Sequence, residues 1–198
     1  MDFTFKRNAT ITAAILLIAA ITQAVYTGMY VAEITPPRQF LWGSEGLLFV
    51  LLAAFAGAAL AQTSRNHLAF AAIAAAGVLN VVQVGVGLTM FGPFREVAET
   101  VPDAAPLAGS IVAFSFMVYN AAKVLLALAL IALGFSKLGA GSKALGGLSV
   151  AIGLVAFLSN TASMAAGRTV TELPIAGGSG VLATILLAVC LFGLTDQD

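Results

Sequence analysis

The sequence predicts an all-α fold, a polytopic membrane bundle of six transmembrane helices with its N- and C-termini both inside the cell. Three observations carry this. Of 198 residues, 60% are hydrophobic and only 9% are charged, with a mean hydropathy of +1.02. An ordinary soluble domain carries about 25% charged residues, so this chain has too little charge to cover a water-exposed globule. The apolar residues fall in six continuous runs, each near the roughly 20 residues a helix needs to cross the hydrocarbon core. Between the runs stand helix-stopping residues.

The six predicted spans cover residues 9–31, 40–61, 68–91, 107–134, 145–166 and 174–194. They are Ala-, Leu- and Val-rich without alternation. That excludes a β-barrel, whose strands alternate polar and apolar positions, and a lipid-exposed backbone must then satisfy its own hydrogen bonds as helix. Pro36-Pro37 separates the first two spans. Gly92-Pro93 is expected to end the third, and Pro106 to precede the fourth. The glycine-rich stretch 139–146 divides the fourth from the fifth. Pro174 is expected in the first turn of the sixth, where a missing N–H costs nothing. Residues 1–198 thus form a single transmembrane domain.

The first span follows Lys6-Arg7, as a signal peptide's apolar core would, but it is longer than such a core and is read as a retained helix. The longest connection, 92–106, has room for a short interfacial helix at 94–100.

Orientation follows from the basic residues of the loops. With the N-terminus inside, Lys6, Arg7, Arg65, Lys137 and Lys143 are cytoplasmic, and Arg38, Arg95 and Arg168 are outside. Glu33, Glu96, Glu99, Asp103 and Glu172 also fall outside. Tyr26, Tyr30 and Trp42 fall near the outer interface, where amphipathic rings concentrate. The chain is therefore placed in the cell's inner (plasma) membrane as a multi-pass protein, its first partner being the lipid bilayer.

Composition narrows the function classes. A formal net charge of zero and scattered Lys and Arg give no footprint for nucleic acid. The single cysteine, Cys190, permits neither an internal disulfide nor a redox pair, and the single histidine, His67, lies in a short polar loop. Haem and metal sites are not expected, and no cofactor is called for. No span contains an aspartate that could serve a retinal Schiff base as counter-ion.

The remaining chemistry is the polar side chains inside the spans. Residues three or four apart share a helix face. Asn80, Gln83 and Gly87 form one stripe, and Ser115, Tyr119 and Lys123 another with Asn120 beside it. Ser149, Gly153, Ala156, Asn160 and Ser163 form a third stripe of small and polar residues. Amides and an ammonium are costly against lipid, so these stripes should face inward. Gln23 joins them from the first span, and Glu45 stands near the outer end of the second. The candidate ligand-binding residues are Gln23, Asn80, Gln83, Tyr119, Asn120, Lys123 and Asn160, with Glu45 as candidate ion-pair partner of Lys123. Lys123 is the sharpest of these, because a charge at a span centre costs about 2.5–3.5 kcal/mol on insertion scales. It serves as a substrate counter-ion or a proton-coupled site, or else it snorkels or belongs to a structural hydrogen-bond network. The amides equally serve as glue between helices. Gly177-Gly178-Ser179-Gly180, opening the sixth span, suits close packing or an anion.

Gly46-Leu47-Leu48-Phe49, the pairs Asn80/Gln83 and Asn120/Lys123, and Ser136-Lys137-Leu138 follow an order that resembles an uncharacterised family of bacterial six-helix inner-membrane proteins. The resemblance spans most of the chain and implies the topology. It implies no activity, and the family pattern has more charges than this sequence.

Two functions fit. One is a small-molecule binding or transport protein with an outward-facing polar pocket, its ligand anionic or amphiphilic. The other is a structural or accessory subunit that meets membrane-protein partners or a second copy of itself. An intramembrane enzyme fits less well, because the spans hold no paired acids and no Ser-His pair.

Overall fold

A computed structural model describes residues 3–166 and 175–196. Arg168, Glu172 and Pro174 lie outside the described residues, as does the side chain of Tyr30. Six of its helices are long and apolar enough to cross a membrane, and no strand occurs among the described residues. They are α1 (Phe5–Val31), α2 (Arg38–Gln62), α3 (His67–Thr89), α5 (Ala105–Gly139), α6 (Lys143–Ala166) and α7 (Ile175–Phe192). A short helix, α4 (Phe91–Thr100), and a 3-10 turn at Pro102–Ala104 lie between α3 and α5.

The helices pack as a ring in the order α1, α2, α3, α5, α6, α7, with α7 returning to α1 and also touching α5. The two chain ends meet: the Lys6 backbone N–H donates to Asp196 Oδ1 at 2.8 Å. That end of the bundle, here the terminal end, also carries Arg65, Lys137 and Lys143. The opposite, distal end carries Glu33, Arg38, α4 and Asp103.

Packing follows the small-residue stripes. In α6 the buried set is Gly146, Ser149, Gly153, Ala156 and Asn160, a spacing of three and four that keeps one face on the bundle. A Cβ on Gly146 would stand 2.8 Å from the Gly134 carbonyl oxygen of α5, so the two backbones meet directly. Gly77 plays the same part in α3, where a Cβ would stand 2.9 Å from the Ala53 nitrogen of α2. Close approach multiplies dispersion contacts, which is what binds helices to each other in lipid. Hydrogen bonds add to it. Ser149 Oγ lies 3.3 Å from Cys190 Sγ, and Ser159 Oγ 3.0 Å from Ser179 Oγ, both joining α6 to α7. At the terminal end Asn8 Nδ2 donates to Gln62 Oε1 at 2.8 Å, tying α1 to α2.

Three boundaries differ from the sequence expectation. Gly92-Pro93 does not stop α3, which ends at Thr89; it lies in the first turn of α4. A proline is harmless there because the first N–H groups of a helix have no partner within it. The helix expected at 94–100 thus begins three residues earlier, at Phe91. Finally, α5 runs on through Ser136 and Lys137 to Gly139, and the chain reverses over 140–142. Gly141 makes that reversal with φ +86°, a conformation that costs glycine nothing.

Candidate functional site

The site begins where α1 stops packing. Its buried stripe of Phe5, Ala9, Ala13, Leu16, Ala19 and Ala20 ends at Ala20. The next turns present Gln23, Tyr26 and Thr27, too polar or too large to continue the seam. A cleft of about 820 Å³ opens there in the distal half of the bundle, walled mainly by α1, α2, α3 and α5. Helix α4 roofs it. Phe91, Phe94 and Ala98 lie on one face of α4 at helical spacing and line the cleft, while Arg95 and Glu99 pair with each other at 2.9 Å at its mouth.

Aromatic rings form most of the upper wall. Trp42 tilts against Tyr26 with centroids 5.5 Å apart and meets Phe91 edge-on at 5.9 Å. Gly87 makes room for it, since a Cβ there would overlap the indole. The Arg38 guanidinium lies over the Trp42 ring at 5.2 Å and over Phe91 at 5.7 Å. A cation over an aromatic face is drawn to the ring's negative quadrupole.

The floor is polar. Gln23, Glu45, Gln83, Ser115 and Tyr119 line it. Glu45 is seven residues into α2, roughly 10 Å below its start at 1.5 Å per residue. It is 4% exposed, and one carboxylate oxygen accepts a 2.6 Å hydrogen bond from Thr22 Oγ1. No second hydrogen bond to this carboxylate occurs among the described residues. Gln83 Nε2 reaches Ser115 Oγ at 3.5 Å, a long contact that joins α3 to α5.

No family model, curated protein or solved structure matches this chain.

Of the candidates named from sequence, the fold brings Gln23, Gln83, Tyr119 and Glu45 together on the cleft. Lys123 is 1% exposed and stands behind them, donating to Gln23 Oε1 at 2.7 Å and to Thr184 Oγ1 at 3.4 Å. Its Nζ also lies 5.3 Å from the centroid of the Tyr119 ring. The ion pair expected with Glu45 is not formed, since no contact within 4 Å joins the two among the described residues. Asn80, Asn120 and Asn160 are buried but do not line the cleft. Asn80 Nδ2 donates to the Ala76 carbonyl of its own helix at 2.9 Å. Asn160 Nδ2 donates to Ala156 O at 2.8 Å and across to Ala176 O of α7 at 3.1 Å. Asn160 thus serves helix association, and it shares Gly180 as a neighbour with the Lys123 stem.

The sequence expectation left out Thr22 and treated Tyr26 and Trp42 only as interface aromatics. It did not foresee Arg38, Phe91 or Phe94 as wall. Thr22 sits one turn of α1 from Tyr26, and the Thr22-Gln23-Tyr26-Thr27 cluster in the otherwise apolar stretch 13–29 was the available signal. Among the described residues no group of three His, Cys, Asp or Glu side chains is placed to hold a metal ion.

Proposed function

We propose that this is a binding or transport protein of the bacterial inner membrane that takes an amphiphilic small molecule into the distal cleft, from the outer face. One observation carries the proposal. The cleft combines a wall of aromatic and aliphatic residues with a few polar groups converging on its floor, at a volume of about 820 Å³. Ligand sites are typically concave, apolar and fitted with a small number of polar groups, at roughly 300–1,000 Å³. The excess of basic residues at the terminal end supports placing that end in the cytoplasm, so that the cleft opens outward.

Trp42 provides the test, because it is the chain's single tryptophan and lies in the cleft wall. Titration of the detergent-purified protein with cationic, anionic and neutral aromatic amphiphiles should change its emission saturably for at least one class. Gly109→Phe, which adds bulk and no second indole, should remove that response in a folded protein. Gly109 lines the cleft, and a Cβ there meets nothing within 4 Å, so the larger side chain would occupy the ligand's space. A panel that leaves the Trp42 signal unsaturated and melting unchanged would overturn the proposal.

A further inference from the structure

We infer that the ligand's polar head is cationic, a lipophilic ammonium or phosphonium-like group, and that it docks against Glu45 on the floor of the cleft. This rests on the amphiphile-binding proposal above and specifies its charge.

The sign of charge available to a ligand changes along the depth of the cleft. At the mouth, Arg95 is already matched by Glu99. Arg38 spreads its charge over Trp42 and Phe91 at the exposed edge. Deeper in, Lys123 does not line the cleft; its ammonium is hydrogen-bonded by Gln23 and Thr184 and attracts Glu45 only at a distance, without a contact between them. The deep charged group that does line it is Glu45. The residue is buried at the back of the cleft, and among the described residues its carboxylate holds one hydrogen bond, from Thr22. A carboxylate has about four acceptor sites, so most of its capacity remains unused. A carboxylate largely withdrawn from water is costly, and a cation arriving through the cleft offsets that cost.

The walls favour the same sign. Two cations of the protein already sit over rings at the rim and back of the site, Arg38 over Trp42 and Lys123 over Tyr119. Aromatic faces attract positive charge and repel negative charge, and they do so more strongly when water is excluded. A ligand cation gains from the carboxylate and from the ring faces it meets, against the repulsion of Arg38 and Lys123. An anion of the same shape would lose its hydration and face Glu45.

Tetraphenylphosphonium and tetraphenylborate separate these outcomes, since they share size and shape and differ in sign. Each would be titrated into the wild-type protein in the same detergent, with Trp42 emission as the readout. The phosphonium should bind about tenfold more tightly than the borate, or better, a difference of about 1.4 kcal/mol. Glu45→Gln, which keeps the shape and the Thr22 contact, should remove that preference. Equal binding of both ions, or tighter binding of the borate, would overturn the cationic assignment and leave the amphiphile site standing. A Trp42 signal that saturates with neither ion nor with any neutral amphiphile would remove the site itself. The comparison of the two ions on the wild-type chain stands whether or not Glu45→Gln folds.

Discussion

Lys123 of α5 and Gln23 of α1, 100 residues apart, are joined by a 2.7 Å hydrogen bond from Nζ to Oε1. The most deeply buried charge among the described residues is thus held by an amide that itself borders the cleft.

The two ends of that bond should not be equivalent. Gln23→Leu leaves Thr184, at 3.4 Å, as the hydrogen-bond partner that remains to the ammonium among the described residues, beside the Tyr119 ring. Hydrogen bonds to charged groups are worth about 1.5–3 kcal/mol, and the loss of this one should appear as destabilisation of that order. Lys123→Met removes the charge, keeps most of the stem's volume and strands only an amide oxygen beside the cleft. It should cost less than Gln23→Leu. The double variant should recover most of the Gln23→Leu loss, because no buried charge remains to be satisfied. Thermal unfolding of the four proteins in one detergent measures the cycle. Strictly additive losses would show that Lys123 and Gln23 are not coupled.

The glycines of α6 offer a sharper packing test. Gly146 and Gly147 are neighbours in sequence but point to different surroundings. A Cβ on Gly146 meets Gly134 O, Leu138 Cγ and Leu138 N, all at 2.8 Å, whereas one on Gly147 meets nothing within 4 Å. Gly146→Ala must push α5 and α6 apart, and overpacking of this kind costs about 1–3 kcal/mol. Gly147→Ala should be neutral or stabilising, since alanine is the better helix former by about 1 kcal/mol. Equal melting temperatures for the two variants would contradict the close α5–α6 contact.

The contrast explains what the sequence could and could not disclose. The six spans were legible because each is a run of apolar residues long enough to cross hydrocarbon, a property of local composition. The inward face of α6 was legible too, from the spacing of Ser149, Gly153, Ala156 and Asn160. The end of α5 was placed short because Ser136 and Lys137 read as loop, though Lys137 continues the helix and donates to Gly193 O at 3.1 Å. The cleft was only half legible. Gln23, Gln83 and Tyr119 declared themselves by being polar within apolar helices. Trp42, Phe91 and Phe94 carried no such mark, because an aromatic ring facing a cleft and one facing lipid look alike in sequence. Only the packing of α4 across α3 and α5 distinguishes them.

Orientation yields a prediction of its own. The terminal end carries Lys6, Arg7, Arg65, Lys137 and Lys143, and the distal end carries Arg38 and Arg95 with four acids. The positive-inside rule then puts both termini in the cytoplasm. A reporter fused after Asp198 should report cytoplasm. A cysteine at Val97, an exposed position of α4, should react with a membrane-impermeant thiol reagent added to intact cells. Background labelling should be low because the native Cys190 is fully buried. Labelling of Val97→Cys only after lysis would reverse the orientation, and with it the face from which the cleft is entered.

The last prediction concerns how the cleft wall is held. Gly87 of α3 lies directly beneath the Trp42 indole, and a Cβ there would overlap the ring. Gly85, two residues away, has nothing within 4 Å of its own Cβ position. Both substitutions to alanine gain the same helix propensity, about 1 kcal/mol, so a difference between them reports the ring alone. In Gly87→Ala the indole must swing away, because the helix backbone cannot yield as easily as one side-chain torsion. Its contacts with Tyr26, Phe91 and the Arg38 guanidinium are then lost together. A ring that leaves a packed aromatic wall should change its emission maximum and become more accessible to quenchers. Gly85→Ala should leave the spectrum of wild type. The same displacement should weaken the binding of any ligand that uses the Trp42 face, without unfolding the bundle. Identical emission and quenching for Gly87→Ala, Gly85→Ala and wild type would show that Trp42 does not rest on Gly87, and that the cleft wall is built differently from the arrangement described.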